Sequence, residues 1–423
     1  MLIQFSVKNF LSFKDLVTFD MTATSIKEFE NENIINVNDI KLLKSAVVYG
    51  ANSSGKSNFI MAMEEMKNMV LNSVNDETAI LVPTSLYFRL DKISKTKPIS
   101  FEIVFIIENK KYIYGFEILK EEITKEYLYE SSLDSKKPNK TKKIFTRSKE
   151  KKQKEYEYSF NVELGKGVKD LALKTRNNSL FLTVAAQFNN EMAMKILNWF
   201  RTSLLNYEHY NIKNTAEQIL NNDNFKLKLL NFLKKIDVSI IDIVVEEIKM
   251  NYPNSIPAEQ INVLSKRKHF NISTVHQVYD KSGKVIDKHL LPIRLESAGT
   301  GKLLTILLPI INILEKGGIL SIDELDRSLH PLITKLIVKY FNSLQNTKGQ
   351  LIFTTHDTNL LSSKTFRRDQ IWFTEKNRME STELYSLSEF KVRNDASYEK
   401  DYILGKYGAI PFISSNIEDF YND

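Results

Sequence analysis

Gly50-Ala51-Asn52-Ser53-Ser54-Gly55-Lys56-Ser57 matches the phosphate-binding loop pattern in full. The loop follows the apolar run 46–49 and precedes a helix-like run that starts at Asn58. A strand delivers such a loop, its glycines let backbone N–H groups turn toward phosphate oxygens, and the helix points its positive end at them. The pattern predicts ATP binding by Gly50–Asn58, with Lys56 neutralising the β- and γ-phosphates and Ser57 ligating Mg²⁺.

Two adjacent carboxylates end a short apolar run in the second half of the chain. Residues 317–322 predict a buried strand, which Asp323 and Glu324 follow directly. Two acids at a strand end could also form an ordinary solvated turn. Together with the loop they favour a catalytic site, in which Asp323 holds the Mg²⁺ shell and Glu324 polarises the attacking water.

A further apolar run, residues 350–355, ends in His356. A lone histidine is more often structural than catalytic. The carboxyl ends of parallel strands lie at one edge of a sheet, where such sheets bind ligands, so His356 is expected beside Glu324. His356 is therefore a candidate for sensing or stabilising the γ-phosphate.

A second small-residue turn lies between the loop and the acids. The stretch Leu295-Glu296-Ser297-Ala298-Gly299-Thr300-Gly301-Lys302 opens an apolar helical run over 303–314. A turn of this kind at a helix start is a second anion site, and one nucleotide does not need two. Ser297 and Gly299 are thus candidate contacts to a nucleotide other than the one bound by their own chain's phosphate-binding loop.

The order of these motifs resembles the head of an ABC-type ATPase. More narrowly, the chain resembles the stand-alone RloA-like (AbiLii-type) ATPases of bacterial abortive-infection and antiphage systems, relatives of the overcoming-lysogenization-defect and RecF/SMC heads. The narrower likeness rests on segments 5–13, 323–326 and 353–413. The resemblance implies that Ser297 and Gly299 reach the γ-phosphate held by a partner's loop, and that Asp326, in the segment 326–331, belongs to the nucleotide site.

Two positions depart from the ABC pattern. Ala298 stands where transporter-type ABC proteins have the first signature glycine, while Ser297 and Gly299 remain. No glutamine after the first lobe is a convincing equivalent of the lid glutamine, so that metal contact is unassigned.

Composition is typical of a soluble intracellular protein. The 423 residues are 42% hydrophobic, enough for a sizeable core. The absence of cysteine excludes disulfides, thiol catalysis and Cys-based zinc sites. No apolar stretch approaches the ~20 residues of a membrane span, and the N-terminus lacks the form of a signal peptide. These features predict a cytoplasmic protein with no membrane partner.

Basic residues are concentrated between Lys136 and Lys154, although the net charge is only +7. The stretch could be a solvated hairpin. It could also be a patch that contacts nucleic-acid backbone or an acidic protein partner.

The patterns divide the chain into three parts. Residues 1–165 are predicted as a first ATPase lobe, in which residues 2–9 form an edge strand and an antiparallel meander follows the loop helix. Residues 166–285 are predicted as a mainly helical insertion, a lid or docking module. Residues 286–423 are predicted as a second lobe. The fold class is α/β, an ABC-type P-loop ATPase head whose mixed sheet is accompanied by an antiparallel β-subdomain.

Three classes of function fit these features. The first, which the family resemblance favours, is an ATPase that forms a homodimer or higher homo-oligomer around ATP and gates a separate effector, a TOPRIM-type nuclease or toxin. The stretch after His356 is shorter than the ~100 residues of a typical domain, so the effector is expected to act in trans. The second is a RecF/SMC-like repair ATPase that acts directly on DNA. The third is a transporter-coupled or structural nucleotide-binding subunit.

Overall fold

The computed structural model describes residues 1–75, 84–133, 141–149, 155–236, 238–248, 268–393 and 396–411. The strands in these ranges are β1 (Leu2–Lys8), β2 (Val17–Asp20), β3 (Ile34–Val37), β4 (Ile40–Leu43), β5 (Ser45–Tyr49), β6 (Ile99–Ile107), β7 (Lys110–Leu119), β8 (Glu122–Ser132), β9 (Lys142–Ser148), β10 (Glu157–Phe160), β11 (Leu204–Asn206), β12 (Asp242–Ile248), β13 (His269–Tyr279), β14 (Val285–Pro292), β15 (Gly318–Ile322), β16 (Gly349–Thr354), β17 (Ile371–Lys376) and β18 (Thr382–Ser386). The α-helices are α1 (Lys56–Asn72), α2 (Val168–Lys174), α3 (Phe181–Gln187), α4 (Glu191–Ser203), α5 (Ile212–Asn221), α6 (Asp223–Lys235), α7 (Ala298–Lys316), α8 (Pro331–Phe341) and α9 (Tyr398–Ile403).

A six-stranded mixed sheet carries the motifs, in the order β11-β15-β16-β5-β17-β18. Its first five strands are parallel and β18 is antiparallel to β17. Strands β5, β15 and β16 are buried along their whole length, because helices cover both faces of a parallel sheet. The carboxyl ends of β5, β15 and β16 lead into the phosphate-binding loop, the two acids and His356, so all three reach one edge.

A seven-stranded antiparallel sheet forms the β-subdomain, in the order β10-β9-β8-β7-β6-β1-β2. The α/β fold class and the antiparallel meander over β6 to β10 are confirmed. The prediction that residues 2–9 form an edge strand was wrong. Strand β1 pairs with β2 on one side and β6 on the other, because the short segment Val17–Asp20 adds a further strand outside it.

The middle of the chain combines helices with a small sheet. Helices α2 to α6 lie within the predicted helical insertion, and the antiparallel sheet β12-β13-β14 follows them. Strand β14 begins at Val285 and pairs with β13, so this sheet continues past the boundary proposed at residue 285. Residues 280–284 form the hairpin turn between β13 and β14, in which the Asp280 N–H donates to the Lys284 carbonyl at 2.9 Å.

Helices α3 and α4 pack against the seven-stranded antiparallel sheet. The Trp199 ring stacks on Phe105 with centroids 4.1 Å apart, and Phe181 and Phe200 are fully buried in the same core. Most of the apolar side chains between residues 181 and 200 thus belong to the core. Phe188 differs: α3 ends there, Asn190 caps α4, and the Phe188 side chain is 59% exposed.

Helix α7 lies between the six-stranded sheet, where it contacts β15 and β16, and helices α5 and α6. Within the described ranges, α7 alone is long and apolar enough to cross a membrane by length and composition. Its residues from Leu303 to Ile310 are buried within the protein, as in the core helix of a globular domain.

Candidate nucleotide site

The loop between β5 and α1 depends on two glycines that other backbone and side-chain atoms approach closely. Gly55 has φ 117°, and a Cβ there would lie 2.4 Å from Thr382 Oγ1. A Cβ at Gly50 would lie 2.5 Å from the Thr374 carbonyl oxygen. Since neither position tolerates a side chain, the sequence can form this loop only with glycine at both.

Lys56 points back into the loop. Its Nζ donates to the carbonyl oxygens of Gly50 and Ala51, at 2.9 Å each, and the residue is only 5% exposed. Burial lowers the pKa of Lys56, while the carboxylates of Asp323 and Glu324 act in the opposite direction. The ammonium is therefore held by backbone dipoles at the place where the motif presents a cation to phosphate.

A cavity of about 500 Å³ opens over the loop and the start of α1. Its wall brings two distant residues, Glu324 and His356, to the loop and the start of α1, and its lining residues are Asn52, Ser53, Gly55, Lys56, Ser57, Asn58, Glu324 and His356. Gly50, Ala51 and Asn52 also line an adjoining cavity of about 390 Å³, which His356 shares. The loop, the second acid and the histidine thus face one space, as their positions at one sheet edge predict.

Thr354, at the end of β16, fixes both acids. Its hydroxyl donates to Asp323 Oδ1 at 2.5 Å and accepts the backbone N–H of Glu324 at 2.8 Å. Glu324 has φ 48°, a left-handed conformation that is uncommon for this residue type. The threonine therefore orients the first carboxylate through its side chain and the second through its backbone, a role that the sequence pattern did not indicate.

We expect Thr354→Val to lower ATP turnover about tenfold, because it removes one hydrogen bond to a charged carboxylate and leaves the Glu324 N–H without its acceptor. Thr354→Ser keeps the hydroxyl and is the matched control. Steady-state phosphate release measures both. Wild-type turnover in the valine variant would contradict the orienting role.

Hydroxyl side chains from β17 and β18 support the loop from below. Ser54 Oγ lies 2.7 Å from Thr374 Oγ1, and Thr382 Oγ1 lies 2.8 Å from the Ser54 carbonyl oxygen. Ser12 Oγ lies 2.8 Å from Thr382 Oγ1 and accepts Asn58 Nδ2 at the same distance. Ser12, which lies in the segment 5–13, therefore helps to hold the loop and the start of α1 in place.

The turn with Ser297 and Gly299 begins α7. Ser297 Oγ accepts the Thr300 N–H at 3.1 Å, as an N-cap, and the residue is exposed. A Cβ at Gly299 would lie 2.8 Å from the carbonyl oxygen of Ser328, so this glycine lets the helix start approach the segment 326–331. Neither Ser297 nor Gly299 lines the cavity over the chain's own loop.

Asp326 lies beside His356. Its Oδ2 accepts the His356 backbone N–H at 3.4 Å. Its Oδ1 is buried with no hydrogen-bond partner within the described ranges. Asp326 therefore links the segment after the two acids to His356, which follows β16.

The donor set fits ATP with Mg²⁺. The described residues contain no group of three or more histidine, aspartate or glutamate side chains placed to hold a metal. Mg²⁺ does not require one, since it keeps several waters and binds through one or two protein ligands plus substrate phosphates. The hydroxyl of Ser57 and the carboxylate of Asp323 are ligands of that kind.

Solved structures with a similar arrangement include SMC heads. The SMC head domain from Thermotoga maritima is 11% identical, with 91% of this chain and 98% of that chain covered and a TM-score of 0.40. An Smc head bound to the C-winged helix domain of ScpA is 13% identical, with 94% and 99% covered and a TM-score of 0.44. An Smc head with an extended coiled coil, bound to the C-terminal domain of ScpA derived from Pyrococcus furiosus, is 11% identical, with 96% and 98% covered and a TM-score of 0.41.

A search of curated proteins finds no significant match. The family described as "AAA domain, putative AbiEii toxin, Type IV TA system" matches residues 45–362, which is more than half of the chain. The match runs from β5, which delivers the loop, to beyond His356, which follows β16. The chain belongs to this family of AAA-domain ATPases.

Proposed function

We propose that this ATPase hydrolyses ATP with Mg²⁺, assembles as a homodimer or higher homo-oligomer around the nucleotide, and gates a separate effector in antiphage defence. The proposed subtype is RloA-like (AbiLii-type), with a TOPRIM-type nuclease or toxin as effector. One observation supports assembly around the nucleotide. The loop, Glu324 and His356 share a cavity, whereas Ser297 lies exposed outside it. A second chain could bring its Ser297 to that cavity.

The proposed chemistry assigns one task to each side chain. Bound MgATP supplies the phosphoryl group and its neutralising metal ion. Lys56 binds the β- and γ-phosphates, and Ser57 and Asp323 hold the metal. Glu324 orients and polarises water at the cavity wall, while His356 contacts the γ-phosphate from the neighbouring strand. Ser297, Gly299 and Asp326 complete the pocket between chains.

The basic stretch favours a protein partner over DNA. Lys142 pairs with Glu163, and Lys149 pairs with Glu122 at 3.0 Å. Arg147 is fully buried, and it donates to the carbonyl oxygens of Ser179 and Arg176 instead of facing solvent. Part of the predicted patch is therefore already neutralised. Residues 136–140 and 150–154 of this stretch lie outside the described residues.

Exposed apolar side chains near this stretch suit a docked protein. Val162 is 92% exposed and Leu173 87%, and Phe188 ends α3 in solvent. Exposed apolar side chains of this size are typical of protein interaction surfaces when they cluster. A cluster of such side chains on the helical segment would suit an effector or inhibitor as its partner.

We expect the isolated chain to bind duplex DNA weakly at physiological salt. Charge reversal at Lys142, Lys143, Lys151 and Lys152 should change that binding little and should break a complex with the effector. Fluorescence anisotropy over a salt series measures the affinity for duplex DNA. Tight binding, with a log–log slope near −0.9 per phosphate neutralised that flattens on charge reversal, would favour the RecF/SMC-like alternative.

A further inference from the structure

Lys302 contacts the loop that carries the catalytic acids. Its Nζ donates to three backbone carbonyl oxygens: Glu324 at 3.0 Å, Leu325 at 3.2 Å and Arg327 at 2.7 Å. An ammonium has three N–H donors, so these contacts use its full capacity. A single side chain from α7 therefore binds the backbone on both sides of Asp326.

The same loop has an unusual backbone. Glu324 and Ser328 both have left-handed φ values, 48° and 61°, at its two ends. Such conformations in residues other than glycine persist only where the surroundings hold them. The carbonyl of Glu324 is itself one of the three acceptors of Lys302, so the contact acts on the residue whose carboxylate lines the cavity.

Helix α7 and this loop meet at a second point. Gly299 approaches the Ser328 carbonyl so closely that a Cβ would lie 2.8 Å from it. Lys302 and Gly299 are three residues apart and lie on the same side of the helix start. The turn with Ser297 and the loop with Glu324 therefore form one contact surface within a single chain.

Lys302 is enclosed by its surroundings. Its Nζ lies 5.9 Å from the centroid of the Tyr207 ring, in the segment that follows β11. Burial lowers the pKa of Lys302, and the carboxylate of Asp326 opposes that effect. The side chain is thus enclosed between α7, the acid-bearing loop and the end of β11.

We propose that Lys302 is a positioning residue that couples the Ser297 turn to Glu324. When a partner's nucleotide binds at Ser297, any shift of the α7 start is transmitted through Lys302 to the backbone of Glu324 in the same chain. This inference rests on the proposed role of Glu324 as the residue that polarises water. It adds a route by which assembly at the Ser297 turn changes catalysis at Glu324 of the same chain.

The test compares Lys302→Met with Lys316→Met, an exposed lysine at the far end of the same helix. Lys302→Met should lower kcat about tenfold with the KM for ATP unchanged, because three hydrogen bonds from a charged donor are lost without touching the loop at Gly50–Ser57. Lys302→Arg keeps the charge and should give an intermediate kcat. Lys316→Met should behave as wild type.

A double variant separates positioning from general stability. In a Glu324→Gln background, Lys302→Met should cause no further loss of turnover, since the group it positions is gone. An undiminished loss there, or wild-type kcat in Lys302→Met, would overturn the proposal. If Lys302→Met does not fold, Lys302→Arg becomes the test. A kcat of Lys302→Arg equal to that of the wild type would then overturn the proposal. Full activity of Glu324→Gln alone would instead contradict the proposed function.

Discussion

Glu324→Gln should reduce ATP turnover by at least about 100-fold while leaving ATP affinity close to that of the wild type. The amide keeps the shape of the side chain at the cavity wall but cannot polarise water. The Thr354 contact to the backbone of residue 324 is unaffected by this change. ATP should therefore stay bound and uncleaved.

Two neighbouring variants provide the contrast. Lys56→Ala removes the cation of the loop and Asp323→Ala removes the proposed metal ligand, so both should weaken ATP binding about tenfold or more. Calorimetry and phosphate release on the three variants measure binding and turnover separately. An active Glu324→Gln enzyme, or Lys56→Ala with undiminished affinity, would contradict these assignments.

Ser297→Arg should abolish turnover and leave single-chain ATP binding nearly intact. Ser297 is exposed and does not line the cavity over its own loop, so a bulky cation there blocks the approach of a second chain. Within its own chain the change removes the N-cap hydrogen bond to the Thr300 N–H, which lies outside that cavity. Ser282→Arg, at an exposed position in the β13–β14 hairpin, is the matched control and should remain active. Loss of binding together with turnover in Ser297→Arg would indicate a site within one chain.

The local motifs could be predicted from the sequence because each is a short run with its own backbone requirement. Gly50 and Gly55 are needed where neighbouring atoms leave no room for a Cβ, and this need appears directly as a residue pattern. The acids and His356 follow buried apolar strands, so parallel topology was enough to place Glu324 and His356 at one edge.

The supporting residues could not be predicted in the same way. Thr354, Thr374 and Thr382 are threonines in strands, where this residue type is common for its β-propensity alone. Their contacts to the acids and the loop depend on the order of strands in the sheet. That order is set by long-range pairing, which a single sequence does not display.

Charge patterning was the least informative signal. Arg147 belongs to the basic stretch by position, yet it is fully buried beside Glu126, with Arg147 Nη1 3.8 Å from Glu126 Oε2. Glu126 in turn accepts the N–H groups of Phe181 and Leu182 at the start of α3. A run of cations predicts a solvated face only when no distant carbonyl or carboxylate reaches it.

Mixing Ser297→Arg with Lys56→Ala tests most directly whether the site is shared between chains. Each variant alone should be inactive. In a mixed dimer, the intact loop of the first chain faces the intact Ser297 turn of the second, so equal amounts should recover about a quarter of wild-type turnover if subunits exchange freely. Persistent inactivity, with mixed assembly confirmed by differential tagging, would contradict the account.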